Sequence, residues 1–400
     1  MSFLTTRLAR VKPSPTIAVT TKAAELKAQG LDVIGLGAGE PDFDTPEHVK
    51  QAAITAINKG ETKYTAVGGT PALKKAVIDK FKRENELEYA ANQIVVGCGA
   101  KQVIFNALLA TINDGDEVII PAPFWVSYPD MVNFAGGVPV IVSCPATQGF
   151  KLTAKNLKAA ITVKTKWLIL NSPSNPTGAV YSASELRELA DILLEYSHVH
   201  IIADDIYEHI VYDGVKFKTI AQIEPKLYAR TLTVNGVSKS FSMTGWRIGY
   251  AGGDKALISA ITDIQSHSTS NPCSISQAAS VAALNSPLDF MKDWIDAFRT
   301  RRNNVVDSLN AITGIKCAKP EGAFYVFPDC SAFFGRKTPN GKLISDSTGF
   351  CEYLLETALV ATVAGSAFGL EGYFRISYAT SDNILAEACK RIKEACGKLV

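Results

Sequence analysis

The sequence predicts an α/β protein: a large three-layer αβα domain around a mostly parallel sheet, plus a smaller α+β domain. Three observations carry this. From about residue 90 to 250, short apolar runs alternate with helical segments, the pattern of βα units feeding a parallel sheet. A chain of 400 residues exceeds what one simple hydrophobic core accommodates. A long helical stretch from Phe290 to about Ala311 then leads into further strands and a closing helix, as expected of a second unit.

Composition excludes several classes. A chain 47% hydrophobic and 20% charged is ordinary for a globular protein. Lys and Arg number 41 against 39 Asp and Glu, and the basic residues are scattered, so no nucleic-acid partner is expected. No apolar run approaches the ~20 residues of a membrane span, so no membrane partner is expected either. The N-terminal segment lacks the apolar core of a signal peptide. Eight cysteines show no C-x-x-C, and none of the five histidines clusters with them. No metal site is expected, and free thiols in a reducing compartment point to a cytoplasmic protein.

Residues 1–15 read as a short basic arm broken by Pro13 and Pro15. Ala18–Gln29 is helical in composition, with Gly30 at the C-cap position. A short strand from Val33 runs into Gly35, Gly37 and Gly39, ahead of Glu40-Pro41-Asp42-Phe43. Those glycines serve either tight packing or close approach of the Gly39 backbone to a small ligand. A helix over 47–59 leads to Lys63-Tyr64 and a flexible turn; a tyrosine there is either packing or function.

The strand from Gln93 to Gly97 turns through Cys98-Gly99-Ala100-Lys101-Gln102 into a helix over 103–112. Gln102 stands where a G-x-G-x-x-G dinucleotide fingerprint needs its third glycine, which argues against a nicotinamide dehydrogenase. The N–H groups of Gly99, Ala100 and Lys101 nevertheless open a helix, and helix N-termini hold phosphate. The next strand, from Asp116, ends near Trp125, a core residue or a ring to stack on a flat ligand. A short strand over 138–142 follows. Lys166–Asn171 then runs into Asn175-Pro-Thr-Gly178, which sets an amide at the C-terminal end of a strand, where open α/β sheets bind ligands. Ser184 is expected to cap the helix over 185–196. The strand from His200 carries Asp204 and Asp205, with Tyr207 three residues after Asp204 and His209 read as structural.

Thr231 to Val237 alternates apolar residues as a strand, then places Ser238, Lys239 and Ser240 in a row. A lysine set against Phe241, Met243 and Trp246 is poorly solvated, which lowers its pKa and frees the nucleophilic neutral amine. Arg247 suits a phosphate through its planar fork. Read alone, the pair also fits a solvated surface. Arg375, inside the apolar strand Gly372–Ala379, is costly without an anion, either a protein acid or a substrate carboxylate.

The run Ser238-Lys-Ser-Phe-Ser-Met-Thr-Gly-Trp-Arg-Ile-Gly-Tyr250 resembles the cofactor-lysine segment of class I aminotransferases, pyridoxal-phosphate enzymes of fold type I. Gly39-Glu-Pro-Asp-Phe43, Gly99-Ala-Lys-Gln102, Asn175-Pro-Thr-Gly178 and Asp204 follow in that family's order, and the bacterial type-Ib aspartate aminotransferases are the nearest likeness. The resemblance implies pyridoxal 5′-phosphate as cofactor and a two-step ping-pong transfer between amino acids and 2-oxo acids, with aspartate and 2-oxoglutarate as substrates. Lys239 then carries the cofactor as a Schiff base and moves the proton. Asp204 pairs with the ring nitrogen, Tyr207 and Asn175 with the ring oxygen, and Trp125 stacks on the ring. Gly99, Ala100, Lys101, Ser238 and Arg247 are assigned to the cofactor's phosphate end, with Tyr64 reaching across a homodimer interface.

Arg375 is expected to clamp the α-carboxylate, assisted by Asn175 and the Gly39 backbone. Ser266–Cys273 lacks the second arginine of animal-type enzymes. Lys101 and Thr16 match the type-Ib residues for the distal carboxylate instead. Lys12 matches a position that accompanies prephenate transamination in some members. Domain limits follow as an arm over 1–15, a small domain over 16–46 and 291–400, and a large cofactor-binding domain over 47–290. The rival readings are a fold-type I lyase or synthase, against which Thr16 and Lys101 speak, and a non-catalytic regulator, which needs an appended DNA-binding module.

Overall fold

The computed structural model describes residues 3–13 and 15–400; residues 1, 2 and 14 of the expected arm lie outside the described residues. After Pro15–Ala28, the first helix, comes β1 (Ile34–Gly35). A seven-stranded sheet is then built from β2 (Ile94–Gly97), β3 (Glu117–Ala122), β4 (Val138–Ser143), β5 (Thr165–Asn171), β6 (His200–Asp204), β7 (Thr231–Gly236) and β8 (Gly249–Gly252). Its order is β2-β8-β7-β6-β5-β3-β4, and only β8 runs against its neighbours.

The pleat explains why these strands read as unbroken apolar runs. Ile119, Leu168, Leu170, Ile201 and Ala203 face one cluster with Leu186, Leu189 and Leu193 of helix Ala183–Glu195. Val118, Ile120, Trp167, Ile169 and Ile202 face the other, with Val103, Ile104 and Leu108 of helix Ala100–Thr111 and Ile258 and Ile261 of helix Lys255–Ser266. A sheet covered on both faces has no polar side to alternate with. The predicted three-layer α/β fold is therefore the observed one.

Helix Ala183–Glu195 is capped by Ser182, not by Ser184. Ser182 Oγ accepts from the Glu185 N–H at 3.3 Å, and a Glu185 carboxylate oxygen accepts from the Ser182 N–H at 2.8 Å. That reciprocal box needs a three-residue spacing, which Ser182-Ala-Ser-Glu185 has and Ser184 lacks.

Beyond helix Met291–Asn310, β9 (Tyr325–Val326), β10 (Val360–Ala361), β11 (Val363–Ala364) and β12 (Phe374–Ser377) complete the strands. β11-β12-β9 form an antiparallel sheet, and β1 pairs in parallel with β10. The strand expected from Gly322 is shorter, because Ala323 takes a left-handed φ of 55° and breaks the ladder. Helix Met291–Asn310 and the closing helix Asp382–Cys396 pack these strands into one cluster, which Ile206, Ile210 and Tyr212 join from the segment after β6. All eight cysteines are free thiols. Among the described residues no helix is long and apolar enough to cross a membrane.

Candidate active site

A cavity of about 380 Å³ opens where the C-terminal ends of β5, β6 and β7 meet the start of helix Ala100–Thr111 and the edge of β12. Asp204, the last residue of β6, pairs in register with Asn171 and Val234. Asn171 Nδ2 donates to the Asp204 carbonyl at 2.9 Å, and the Tyr128 hydroxyl donates to Asp204 Oδ2 at 2.5 Å. Oδ1 is buried with no partner. Burial pushes this carboxyl up to about 6, against the pull of Tyr128. Trp125 stands edge-on to Tyr128, ring centres 5.3 Å apart.

Lys239 follows β7 and reaches into the cavity, where its ammonium donates to the Gly39 carbonyl and lies 5.7 Å from the Tyr207 ring centre. Desolvation lowers its pKa to about 8, assisted by Arg375 and Arg247 and opposed by Glu40 and Asp204. The Tyr207 hydroxyl lies 2.9 Å from that of Tyr325.

Arg247 and the first turn of helix Ala100–Thr111 form a cationic cradle. Gly99 is the N-cap at φ 85°, without a side-chain cap, and a β-carbon there would lie 3.0 Å from the Arg247 guanidinium carbon. Gly249 is equally constrained, since its β-carbon would lie 2.0 Å from the Ala100 nitrogen. Arg247 donates to the Thr244 carbonyl at 2.9 Å and to the Cys98 carbonyl at 3.3 Å. Ser238 lines the same cavity.

Arg375 is 2% exposed. It donates to Asn175 Oδ1 at 2.8 Å and to the Gly37 carbonyl at 2.6 Å, while its Nε has no partner. Its guanidinium lies over the Tyr325 and Phe368 rings at 4.6 and 5.0 Å. Desolvation lowers its pKa, and among the described residues no carboxylate pairs with it. Asn175 is held by its own N–H donating to Asn171 Oδ1 at 2.9 Å. Lys101 Nζ rides 4.7 Å over the Trp125 ring, its pKa lowered by desolvation and by Arg247. Thr16 and Gly39 line the cavity as well.

Three expected residues stand apart. Gly99 lies behind Arg247 rather than on the cavity wall. Lys12 lines a separate cavity of about 570 Å³, its N–H donating to Asp130 Oδ1 at 3.4 Å. Tyr64 is 91% exposed. Sequence reasoning gave no role to Tyr128, Asn171 or Tyr325. Their positions as the third residue after Trp125, the end of β5 and the start of the two-residue β9 carry no motif that marks them.

His209 sits in a buried polar cluster: Nδ1 lies 2.8 Å from Ser240 Oγ and Nε2 2.9 Å from Glu84. Glu84, Glu208 and His209 have the spacing of metal ligands, but the Lys80 ammonium bonds Glu208 and lies 3.5 Å from Glu84, filling the cation's place.

These residues fit pyridoxal phosphate on three counts. Asp204 Oδ1 is a buried acceptor awaiting a cationic donor, Lys239 is an amine near its working pKa, and Arg247 with a bare helix N-terminus awaits a phosphate.

Comparison with known proteins agrees. Residues 31–392 match the family described as aminotransferase class I and II. The chain is 58% identical to an aspartate aminotransferase of Rhizobium meliloti over 98% of this chain and 96% of that one. It is also 58% identical to an aspartate/prephenate aminotransferase of Cereibacter sphaeroides over the full length of both. The crystal structure of an aspartate aminotransferase from Rhizobium meliloti superposes with a TM-score of 0.97 at 56% identity, covering both chains fully. That of the Thermus thermophilus aspartate aminotransferase with maleate gives 0.91 at 43%, covering 99% and 100%. The chain belongs to the class I and II aminotransferases and, with pyridoxal 5′-phosphate as cofactor on a fold type I scaffold, transfers amino groups between amino acids and 2-oxo acids.

Proposed function

We propose that this aminotransferase passes the amino group of L-aspartate to 2-oxoglutarate, giving oxaloacetate and L-glutamate. The carrying observation is that Arg375 is a buried cation with no protein acid beside it among the described residues. An isolated buried charge costs several kcal/mol unless an anion answers it, and a substrate α-carboxylate does so, with Asn175 and the Gly39 backbone beside it. Lys101, part-desolvated and also without a protein acid, stands with Thr16 on the same cavity, where a second carboxylate completes the pairing. Relatives from Rhizobium meliloti and Cereibacter sphaeroides bear aspartate in their names.

When bound, pyridoxal phosphate supplies an electron sink for the pair left at the substrate Cα. Asp204 offers Oδ1 to the ring nitrogen and, anchored by Tyr128 and Asn171, keeps that nitrogen protonated. Lys239 Nζ takes the Cα proton and would deliver it to the cofactor's C4′ carbon, and its pKa near 8 keeps a working fraction neutral at physiological pH. Arg247, Ser238 and the N–H groups of Ala100 and Lys101 would hold the phosphate, while the Gly99 N–H already donates to the Gly97 carbonyl at 2.8 Å. Tyr207 donates to the ring oxygen, which Asn175 also faces, and Trp125 covers the ring.

The test is the visible spectrum of the cofactor-loaded protein. L-Aspartate alone is expected to convert the yellow band to a shorter-wavelength form, and 2-oxoglutarate to restore it. Release of pyruvate and ammonia without an acceptor would sink the transfer reading in favour of a lyase. A second reading adds prephenate as amino acceptor, favoured by the names of relatives from Cereibacter sphaeroides and Rickettsia felis. Prephenate that restores the band no faster than buffer removes it, and Lys12, outside the central cavity, then has no assigned part.

The enzyme is further proposed to act as a homodimer, which supplies Tyr64, exposed in the single chain, to the partner's phosphate cradle. Tyr64→Phe is expected to weaken cofactor retention about tenfold, the worth of one hydrogen bond to a charged group. Equal cofactor dissociation from variant and parent counts against the placement. The division into a small unit over 16–46 and 291–400 and a large unit over 47–290, and a cytoplasmic location consistent with eight free thiols, belong to the same reading.

A further inference from the structure

Tyr325 links the three-stranded sheet to the segment that follows β6 of the seven-stranded one. It sits on β9, opposite Ser377 of β12, and its hydroxyl meets that of Tyr207, which follows β6. Both phenols are buried. The Arg375 guanidinium carbon lies 4.6 Å from the Tyr325 ring centre. A β-carbon at residue 39 would come 2.9 Å from the Tyr325 hydroxyl, so glycine there leaves that hydroxyl its place.

Two phenols 2.9 Å apart share a single proton between them, and the one that donates it has none left to offer elsewhere. A cation over the face of one ring withdraws electron density and makes that phenol the better donor. Arg375 lies over Tyr325; only the Lys239 ammonium, more distant at 5.7 Å, lies over Tyr207. Either hydroxyl is placed to donate, and the guanidinium over its ring favours Tyr325 as the donor and Tyr207 as the acceptor. The Tyr207 proton is left free to turn toward the cavity, and a phenol that accepts one hydrogen bond donates more strongly in the next.

We propose that Tyr325 is a positioning residue that orients the Tyr207 proton toward the cofactor's ring oxygen, and that Arg375 sets the strength of this bond. A substrate carboxylate on Arg375 compensates the guanidinium charge, weakens donation by Tyr325 and alters the bond Tyr207 makes to the cofactor. Carboxylate binding at one end of the cavity is thereby felt at the ring at the other. This rests on the reading above, in which Tyr207 meets the ring and Arg375 the carboxylate.

The experiment is a pH titration of the visible band in four holoenzymes: parent, Tyr325→Phe, Tyr207→Phe and the double variant, each with and without maleate as an unreactive dicarboxylate. Phenylalanine keeps the ring under Arg375 and removes only the hydroxyl. Tyr325→Phe is expected to raise the titration midpoint by about half a pH unit or more, as loss of a stabilising hydrogen bond to the deprotonated form does. Tyr207→Phe moves it further in the same direction, and adding Tyr325→Phe to it produces no additional shift. The change in midpoint on adding maleate is expected to be smaller in Tyr325→Phe than in the parent. In turnover, kcat is expected to fall about tenfold with KM for aspartate within about twofold, the pattern of a group acting beyond ground-state binding.

An unchanged midpoint in Tyr325→Phe, beside a clear shift in Tyr207→Phe, overturns this inference alone. Additive shifts in the double variant, or loss of the band in Tyr325→Phe, overturn it in favour of a purely structural role. No shift in Tyr207→Phe overturns the placement of Tyr207 at the ring, and this inference with it.

Discussion

Lys239→Ala is expected to lower turnover with aspartate about 10⁴-fold or more, because both nucleophile and proton carrier are lost in one side chain. No second amine replaces it: Lys101, the other lysine on the cavity, rides over the Trp125 ring. The fold is expected to survive. A lysine whose pKa is depressed by burial binds its proton more weakly in the folded state than in the unfolded chain. Its contribution to stability is therefore unfavourable at neutral pH and improves as pH rises from about 8 toward the unfolded value near ~10.4. Removing the amine at pH 7 relieves that burden.

The same depressed pKa fixes the pH dependence of cofactor capture by the apoenzyme, which is expected to rise with pH through about 8 and level off above it, as the neutral amine forms. Stopped-flow spectroscopy with aspartate and differential scanning calorimetry of parent and variant check these outcomes together. A loss of less than about tenfold, with cofactor still bound, removes Lys239 from its role.

The second large effect is at Arg375. Arg375→Lys is expected to cut kcat/KM for aspartate about 10³-fold, in the range measured when one partner of a buried charge pair is lost. The charge is kept, so the loss is one of geometry. In the native arrangement one guanidinium nitrogen serves Asn175 and another the Gly37 carbonyl, and the guanidinium carbon lies 4.6 and 5.0 Å from the Tyr325 and Phe368 ring centres. An ammonium cannot hold those partners and a bidentate carboxylate at once. The variant is expected to retain its cofactor, because the phosphate cradle and Asp204 are untouched, so the loss is one of substrate rather than cofactor binding. Steady-state kinetics at saturating 2-oxoglutarate measures the effect, and a fall of less than about tenfold would place the α-carboxylate elsewhere.

Why some parts were legible in the sequence and others were not follows from where the information lies. Lys239, Asp204, Asn175 and Arg247 sit within runs whose local chemistry is unusual: an amine among apolar rings, an acid at a strand end, an amide in a proline turn. The parallel sheet was legible because βα alternation is a local pattern. Tyr128 and Tyr325 were not, because each matters through a partner 76 or 118 residues away along the chain, and a tyrosine in isolation says only that it is large and amphipathic. The Ser182 cap was misjudged by two residues because Ser184 also precedes Glu185, whereas the three-residue spacing of a capping box singles out Ser182. Tyr64 is exposed and Lys12 lines a separate cavity, so within the single chain neither joins the central cavity.

Asp204 and Asp205 are chemically identical neighbours with opposite surroundings. The pleat turns the first toward Tyr128 and Lys239 and the second toward Thr219, Glu208 and Lys80, where burial pushes its carboxyl well above the usual range. Residue type therefore cannot tell the two apart; strand register alone does. A slip of β6 by one position would present an equally good acid to the cavity while turning Ile201 and Ile202 to the wrong layers. The Asn171 side chain guards against that misthreading, since it grips the backbone carbonyl of Asp204 with one end and the Asn175 amide with the other. In this fold the choice between twin carboxylates is made by a neighbouring strand that never touches either acid group.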